Sequence, residues 1–467
     1  MYQIWYTFIK YICRFDYESS YKGGPMIEKA ESKSDKAQLI GKRMIVDAHN
    51  DTMMKVVDPN TFAPKVDIGQ PTVFHIDLPK MIEGNVSIAY FAAYTTDLGS
   101  FEKNNNMLLA SMNALEFTEL SNKANFCKAR SFDAIEKALE INQRVGIQTI
   151  EGAYAFNEEN LINLMQQYDD LGVKVIAPVW NYSNAIGEGT LEQYIDGTVS
   201  CGGLTELGQE FVGKMNQLGI IIDVSHMNER TFWDTIKFSQ MPLIASHSGA
   251  STINKHIRNL TDDQIRALAE KDGVINVVFC RYFIGDEHAG VSELVDHIDH
   301  IVKVVGIRHV GLGSDFDGAT MPVDLEDISQ IYKIADMLEQ RGYKEDEIQL
   351  ILGKNNLRVL KIHDEKRLKQ VPLEGEVLID KRKESLLIQL KINEEAFKLV
   401  IQENLKVKGV FDGIEIPVNI NFSTNRLDLM INESIVEPYH VLTVSFIDKS
   451  IMNEGVRYFC TRIVELR

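Results

Sequence analysis

Residues 44–51 read Met44-Ile45-Val46-Asp47-Ala48-His49-Asn50-Asp51: an apolar, β-branched run that breaks off into ionisable side chains. The apolar half has the composition of a strand buried on both faces, as parallel sheets require. Seven runs of the same texture follow, at 86–94, 145–150, 173–179, 220–224, 243–245, 274–279 and 309–313. Between most of them, apolar residues recur at three- and four-residue spacing. This predicts helices over 106–120, 134–141, 159–171, 206–218, 229–238, 262–271 and 292–305. Thr261-Asp262-Asp263-Gln264 has the sequence of a capping box. Strands alternating with helices imply an α/β fold with a parallel sheet, and eight such units imply a closed (β/α)8 barrel of the TIM type. A doubly wound open sheet is the alternative, but no GxGxxG follows the first strand.

The ends of these runs share a chemistry. The first ends in His49-Asn50-Asp51, the third in Glu151-Gly152, the fifth in Ser225-His226, the sixth in Ser246-His247-Ser248, and the eighth in Ser314-Asp315-Phe316-Asp317-Gly318. (β/α)8 barrels build their active sites at the C-terminal ends of their strands. A single histidine after an apolar run is ordinarily a satisfied core residue. Ionisable groups at five strand ends resist that explanation, because burying charge without partners is costly. His49-x-Asp51 puts an imidazole and a carboxylate on one side of an extended segment, where they can share a divalent metal. Glu151, His226 and His247 bring the donors to five, more than the three protein ligands usual for one catalytic zinc. Two metals bridged by a carboxylate account for all five, and such a pair suits hydrolysis of a carbonyl compound.

The chain has 467 residues, 45% of them apolar, enough for a barrel and a smaller domain. Its formal net charge of -18 repels phosphate backbones and anionic lipid, which argues against nucleic-acid or membrane-surface partners. The five cysteines are scattered and form no CxxC pair, which suits a reducing cytoplasm. Residues 1–15 are aromatic-rich but interrupted by Lys10 and Arg14, a poor signal peptide. Lys22-Gly23-Gly24 stands before Met26 as a translated ribosome-binding sequence would, so residues 1–43 read as a leader or extension with the true start at Met26. The barrel is expected over 44–364, closing with helices over 325–338 and 344–360. A charged linker at 365–370 opens a β-rich domain over 365–467. Apolar and polar residues alternate there at 377–379, 386–392, 414–422, 427–431 and 441–447, and Asp412-Gly413 marks a turn. No chemical motif stands in this region, and assembly or binding is its expected role.

Taken together, Val46-Asp47-Ala48-His49-Asn50-Asp51, His75-Ile76-Asp77-Leu78-Pro79-Lys80, Ile150-Glu151-Gly152, Asp223-Val224-Ser225-His226, Ser246-His247-Ser248, Arg258-Asn259 and Gly311-Leu312-Gly313-Ser314-Asp315-Phe316-Asp317-Gly318 resemble the membrane dipeptidase (renal dipeptidase) family of zinc metallopeptidases, in a bacterial-type form. The resemblance covers roughly residues 44–363. It implies a metal-dependent hydrolase barrel with two zinc ions, manganese or cobalt being able to substitute. By the same resemblance, His49 and Asp51 hold the first zinc, Glu151 bridges, and His226 and His247 hold the second. Asp315 carries the proton from the attacking water to the leaving amine. Arg258, Asn259 and Trp180 are expected at the substrate, Arg258 gripping its terminal carboxylate. Asp317 and His75 are read as structural. The implied substrate is a dipeptide, with a D-residue tolerated at its C-terminal position, and relatives are often homodimers.

One departure stands out. Many family members carry Thr-His-Asn after the fourth strand, and that histidine helps to stabilise the oxyanion. This chain reads Val179-Trp180-Asn181, and an indole offers one N–H donor and cannot be protonated. Two other readings remain open: a binuclear hydrolase of another small amide, such as an N-acyl amino acid, and a binding protein that keeps its metals without turnover. His297 and His300, among aspartates, are expected on a solvated helix face.

Overall fold

The computed structural model describes residues 43–191, 202–367, 370–372, 375–381, 386–392, 406–421, 426–431, 438–447 and 457–465. The leader expected over 1–43 and its alternative start at Met26 lie outside the described residues, apart from Arg43. Nine parallel strands come first: β1 Ile45–Asn50, β2 Val86–Tyr94, β3 Phe126–Lys128, β4 Arg144–Glu151, β5 Val173–Ala177, β6 Ile221–Asp223, β7 Leu243–Ser248, β8 Val274–Val278 and β9 Val310–Gly313. Eight of them pair in the order β1-β2-β4-β5-β6-β7-β8-β9, and the short β3 adds to β4 from the side. All eight runs read from the sequence are strands; β3 is the additional one. The barrel is nearly closed: Asn50 of β1 bridges to Phe316, three residues past the end of β9.

The helices that cover the sheet are α1 Phe101–Ser121, α2 Phe132–Glu140, α3 Leu161–Asp170, α4 Glu206–Leu218, α5 Glu229–Phe238, α6 Asp262–Glu270, α7 Val291–Val305, α8 Tyr332–Gln340 and α9 Asn355–Lys366. Several of their starts are fixed by side-chain caps: Ser100, Thr205 and Asn228 each accept an N–H of the first turn, and Thr261 with Gln264 forms the expected capping box. The barrel interior is filled from below by Val46, Ile88, Val145, Val175, Ile221, Ile244 and Val274, and plugged by Ile135 and Ala138 of α2 and Val359 and Leu360 of α9. Higher up, Gly311 and Gly313 of β9 replace side chains altogether. A Cβ at Gly313 would stand 1.7 Å from the Ser246 carbonyl oxygen, so only glycine lets β7 and β9 approach so closely.

Nine antiparallel or edge strands follow: β10 Gln370–Pro372, β11 Gly375–Lys381, β12 Leu386–Ile392, β13 Lys406–Phe411, β14 Ile414–Ile416, β15 Val418–Asn421, β16 Arg426–Ile431, β17 Tyr439–Ile447 and β18 Arg457–Glu465. They form one sheet ordered β10-β18-β17-β13-β14 and another ordered β11-β12-β16-β15. Ile388, Leu390, Leu427, Leu429, Phe411, Leu442, Val444 and Cys460 pack between them, making a small sandwich. Alternation along β17 gives it two buried faces. Leu442 and Val444 face the sandwich core, while Tyr439 and Val441 join the core of the barrel's helical layer. The charged stretch after residue 364 is no free linker: α9 runs to Lys366, and the Arg367 guanidinium donates to both Asp169 oxygens at 2.8 and 2.9 Å.

Candidate metal centre

The strand ends do converge. His49, Asp51 and Glu151 bring ligand atoms within 4.8 Å of one another, as do Glu151, His226 and His247, and also His49, His247 and Asp315. Bulges aim two of these side chains. Asp47 pairs with Ala89 and Asn50 with Phe91, so β1 carries one extra residue at Ala48-His49. Ala245 pairs with Ile275 and Ser248 with Val277, so β7 does the same at Ser246-His247. Simple strand alternation therefore does not explain why His49 and Asp51 face together; a bulge and a turn do. Asp51 is already out of the strand, at φ -103° and ψ 21°, opening a helix over Thr52–Val56. His226 and Asp315 sit in the left-handed region, at φ 68° and 61°, a conformation unusual for these residues and kept where local geometry serves a site.

Neighbours fix how each imidazole is turned. The Asp223 carboxylate accepts from the Ser246 hydroxyl and from the Ser225 and Ser246 backbone N–H groups at 2.9 and 2.8 Å. With its own proton committed, the Ser246 oxygen accepts from His247 Nδ1 at 2.7 Å. His226 Nδ1 donates to Asn181 Oδ1 at 2.7 Å. Both rings thus turn bare Nε2 lone pairs inward, 3.0 Å apart. His226 Nε2 lies 2.8 Å and His247 Nε2 3.6 Å from Glu151 Oε1. Two imidazole nitrogens and a carboxylate oxygen meet there, a donor set that suits a cation. On the other side, His49 Nε2 stands 3.7 Å from both Asp51 Oδ1 and Glu151 Oε2. His49 Nε2 and Asp51 Oδ1 are buried with no hydrogen-bond partner. Zinc bonds of ~2.0–2.1 Å put tetrahedral ligands about 3.3 Å apart, within the spread of these separations. The donor set therefore fits divalent metal.

The charges say the same. Burial pushes the carboxyl groups of Asp51 and Glu151 well above the usual range, and repulsion from each other's neighbours, Asp315 for Asp51 and Asp51 for Glu151, adds to it. Burial raises Asp315 to about 7 against the pull of Arg258. Burial lowers His49 to about 3 and holds His226 and His247 well below the ordinary value. Crowded carboxylates and neutral imidazoles both become favourable once a divalent cation stands among them.

Arg258 reaches the same space from the loop after β7. It is buried, donates from Nη2 to the His247 carbonyl at 3.2 Å, lies 5.8 Å from the Phe283 ring centre, and leaves Nε without a partner. Asn259 beside it spends its amide on the backbone, accepting from Gly249 at 2.8 Å and donating to Asn254 and Phe283 carbonyls at 2.8 and 2.7 Å. Trp180 stands edge-on to Tyr94 and Tyr182, with ring centres 5.2 and 5.9 Å away, and 6.0 Å from His226. Asp317 and His75 bind each other's backbone N–H groups at 2.9 Å and hold the loop before the helix over Leu78–Glu83. The expectation for His297 is corrected. It lies on α7 but is fully buried, accepting from Ala250 N–H at 2.9 Å and donating to the Ile284 carbonyl at 3.1 Å. Flanking aspartates face outward while the helix turns His297 in. His300 is half-buried and pairs with Asp262 at 2.8 Å.

The sequence model of the membrane dipeptidase family (peptidase family M19) matches residues 34–371. The chain belongs to this family. It is a metal-dependent dipeptidase, a hydrolase of peptide bonds, built on the family's barrel. An uncharacterised dipeptidase of Schizosaccharomyces pombe is 32% identical over 337 residues, covering 68% of this chain and 80% of that protein. An uncharacterised protein from the pqqA 5′ region of Klebsiella pneumoniae is 37% identical over 232 residues, 49% of this chain and 85% of that one. Among solved structures, a metallopeptidase from Rhodobacter sphaeroides, crystallised with a phosphinate mimic of the dipeptide L-Ala-D-Ala, superposes with a TM-score of 0.62 at 26% identity. That match covers 68% of this chain and 99% of the other. Among the described residues, no helix of this family member is long and apolar enough to cross a membrane.

Asp223, Ser246 and Asn181 orient the His226 and His247 rings, yet none stands out in the sequence as a site residue. Asp223 and Ser246 lie in Asp223-Val224-Ser225-His226 and Ser246-His247-Ser248, and only their contacts in three dimensions reveal the role. Asp47 closes the barrel under the site: it accepts from Ser314 N–H at 2.7 Å and Ser314 Oγ at 2.9 Å.

Proposed function

We propose that this chain is a two-zinc dipeptidase, with His49 and Asp51 holding one ion, His226 and His247 the other, and Glu151 between them. The observation that carries the reading is the division of Glu151: Oε2 looks at His49 and Oε1 at His226 and His247. Bound there, the metals would polarise the scissile carbonyl and make water nucleophilic at neutral pH. The remaining work falls to the chain's own groups. Arg258, with its unpartnered Nε, receives the substrate's terminal carboxylate in its planar fork. Asn259 holds the turn on which Arg258 stands. Asp315 takes the proton of the attacking water and returns it to the leaving amine. Trp180, braced by Tyr94 and Tyr182, walls the His226 side against bulk water. Dipeptides ending in a D-residue belong to the proposed range, because the Rhodobacter sphaeroides relative accommodates a mimic of one. Cys127, Cys280 and Cys460 are free thiols, in keeping with a reducing cytoplasm.

The test is hydrolysis of L,L- and L,D-dipeptides beside N-acyl amino acids, with zinc restored, by wild type and Asp315→Asn. We expect the wild type to cleave dipeptides, and the variant to keep both metals while losing about 10²–10⁴-fold in kcat. A wild type that holds two metals and cleaves only N-acyl amino acids, or nothing, overturns the proposal.

A further inference from the structure

The sandwich touches the barrel where the active-site rim begins. In a (β/α)8 barrel each helix starts beside the C-terminal end of the preceding strand, so the first turns of α1 and α3 lie at the rim. The hairpin of β13 and β14 drives its tip, Asp412-Gly413, between those helices. Both residues are left-handed, at φ 47° and 86°, the pair that a two-residue hairpin turn needs. Asp412 Oδ1 accepts from Asn105 Nδ2 at 3.1 Å and from Val441 N–H at 2.8 Å. Gly413 N–H donates to Gln167 Oε1 at 2.7 Å, and a Cβ at Gly413 would lie 2.7 Å from the Asn160 Cβ.

The residues that receive the tip also hold the rim. Asn105 accepts from the Tyr168 hydroxyl at 2.7 Å, tying α1 to α3. Asn104, one position back, donates to the Tyr154 carbonyl at 3.2 Å and accepts from Thr95 Oγ and Leu98 N–H, each at 3.1 Å. Asn106 accepts from Tyr439 N–H of β17 at 2.8 Å. Asn160 donates to the Ala155 carbonyl at 2.9 Å. Thr95 N–H, in turn, donates to the Glu151 carbonyl at 3.0 Å, and the Tyr154 hydroxyl donates to the Tyr182 carbonyl at 2.8 Å. The contacts of Asn104 and Asn160, next to the tip's own partners, thus lead to within a residue or two of Tyr94, Glu151 or the aromatic wall around Trp180.

We propose that the Asp412-Gly413 tip is a positioning element for substrate binding: seated between α1 and α3, it sets the segments after β2 and β4 that shape the wall of Tyr94, Tyr154 and Trp180. Asn104, Asn105 and Asp412 are its positioning residues. The proposal rests on the dipeptidase reading above, and one of its two readouts is independent of turnover. At the opposite end of α3, the Thr461 hydroxyl donates to Asp170 at 2.8 Å. That contact belongs to the same docking surface but is remote from the rim, which makes it the control.

Gly413→Ala and Asp412→Ala are compared with Thr461→Ala in the full-length, zinc-loaded protein, by dipeptide kinetics and by amide hydrogen exchange. We expect the tip variants to raise KM about tenfold with kcat and zinc content little changed, and to speed exchange about tenfold over 95–100 and 152–157. Asp412→Asn, which keeps the acceptor oxygen, should restore most of the loss. Thr461→Ala should lower the melting temperature while leaving KM and rim exchange as in wild type. Unchanged KM and rim exchange in both tip variants would sink the proposal. So would a Thr461→Ala protein whose KM rises as much, since the effect would then be general loosening. A wild type that cleaves no dipeptide refutes the functional reading instead, and the exchange data still decide this one.

Discussion

Two regions of this molecule bury polar side chains at high density, and they treat them oppositely. At the docking surface of the sandwich the contacts are complementary apart from one buried amide nitrogen, Asn106 Nδ2, that lacks a partner: the Gln167 amide donates to the Val410 and Val441 carbonyls at 3.2 and 3.1 Å and accepts from Gly413 N–H. At the metal centre, acceptor meets acceptor. His226 and His247 face each other Nε2 to Nε2, and His49 Nε2 and Asp51 Oδ1 have no partner. Buried polar groups are satisfied as a rule, so a cluster that fails the rule together has been kept for a missing component. Satisfied networks report assembly; shared frustration reports chemistry.

Glu151→Gln breaks the comparison where it is sharpest. It removes the one carboxylate common to both half-sites, so zinc content should fall and kcat/KM should drop by about 10⁴-fold. In chelator, however, the variant should melt no lower than metal-free wild type, because it relieves a buried charge that Asp51 and Asp315 repel. A variant that keeps two metals, or one that unfolds in chelator while wild type does not, contradicts the reading of the centre as frustrated. Zinc itself is the milder probe. At about a hundredfold excess over its dissociation constant it should stabilise wild type by about 3 kcal/mol for each of the two sites in denaturant titrations, and Glu151→Gln by much less.

The two regions also differed in how far the sequence foretold them. Buried parallel strands are continuous apolar runs, so β1, β2 and β4 to β9 could be read directly, and charged residues at their ends are conspicuous against that background. Bulges are not conspicuous, which is why the facing of His49 and Asp51 was expected for the wrong backbone reason. Asn181 acts on His226, 45 residues away, and Asp223 reaches Ser246, 23 residues away, so no local pattern marks them. In the sandwich, Asp412-Gly413 was legible as a turn, but where it docks depends on Asn105, roughly three hundred residues earlier in the chain. The strands β10, β13 and β18 carry no signal strong enough to read from the sequence, and the aspartates beside His297 suggest solvent where the helix turns it inward.

Gln167→Leu tests the satisfied region. It strips partners from two carbonyls and one N–H at the sandwich interface, which should cost about 2–3 kcal/mol of stability. Zinc content should stay at the wild-type level. If stability holds and metal is lost instead, the interface is not the complementary surface described, and the contrast with the centre fails.

His363 asks whether an orphaned atom alone is enough to mark function. It is buried on α9, its Nε2 donates to the Pro242 carbonyl at 2.9 Å, and its Nδ1 has no partner. Unlike His49, it has no companion carboxylates or imidazoles converging on that nitrogen among the described residues, so it should behave as a plain buried neutral ring. Burial lowers its pKa to about 4, against an ordinary value of 6.5. Between those values the unfolded chain binds a proton that the folded chain refuses, so the ring's contribution is intact above pH 6.5 and is lost as pH falls toward 4. From pH 7.5 to pH 5 the loss should be about 2 kcal/mol. His363→Gln, which keeps a donor for the Pro242 carbonyl, should therefore lose about that much less than wild type over the same interval, measured by urea unfolding in chelator. Added zinc should leave this difference unchanged. Parallel pH slopes would mean that His363 is charged in the fold, and a difference that zinc abolishes would mean that its orphaned nitrogen belongs with the centre after all.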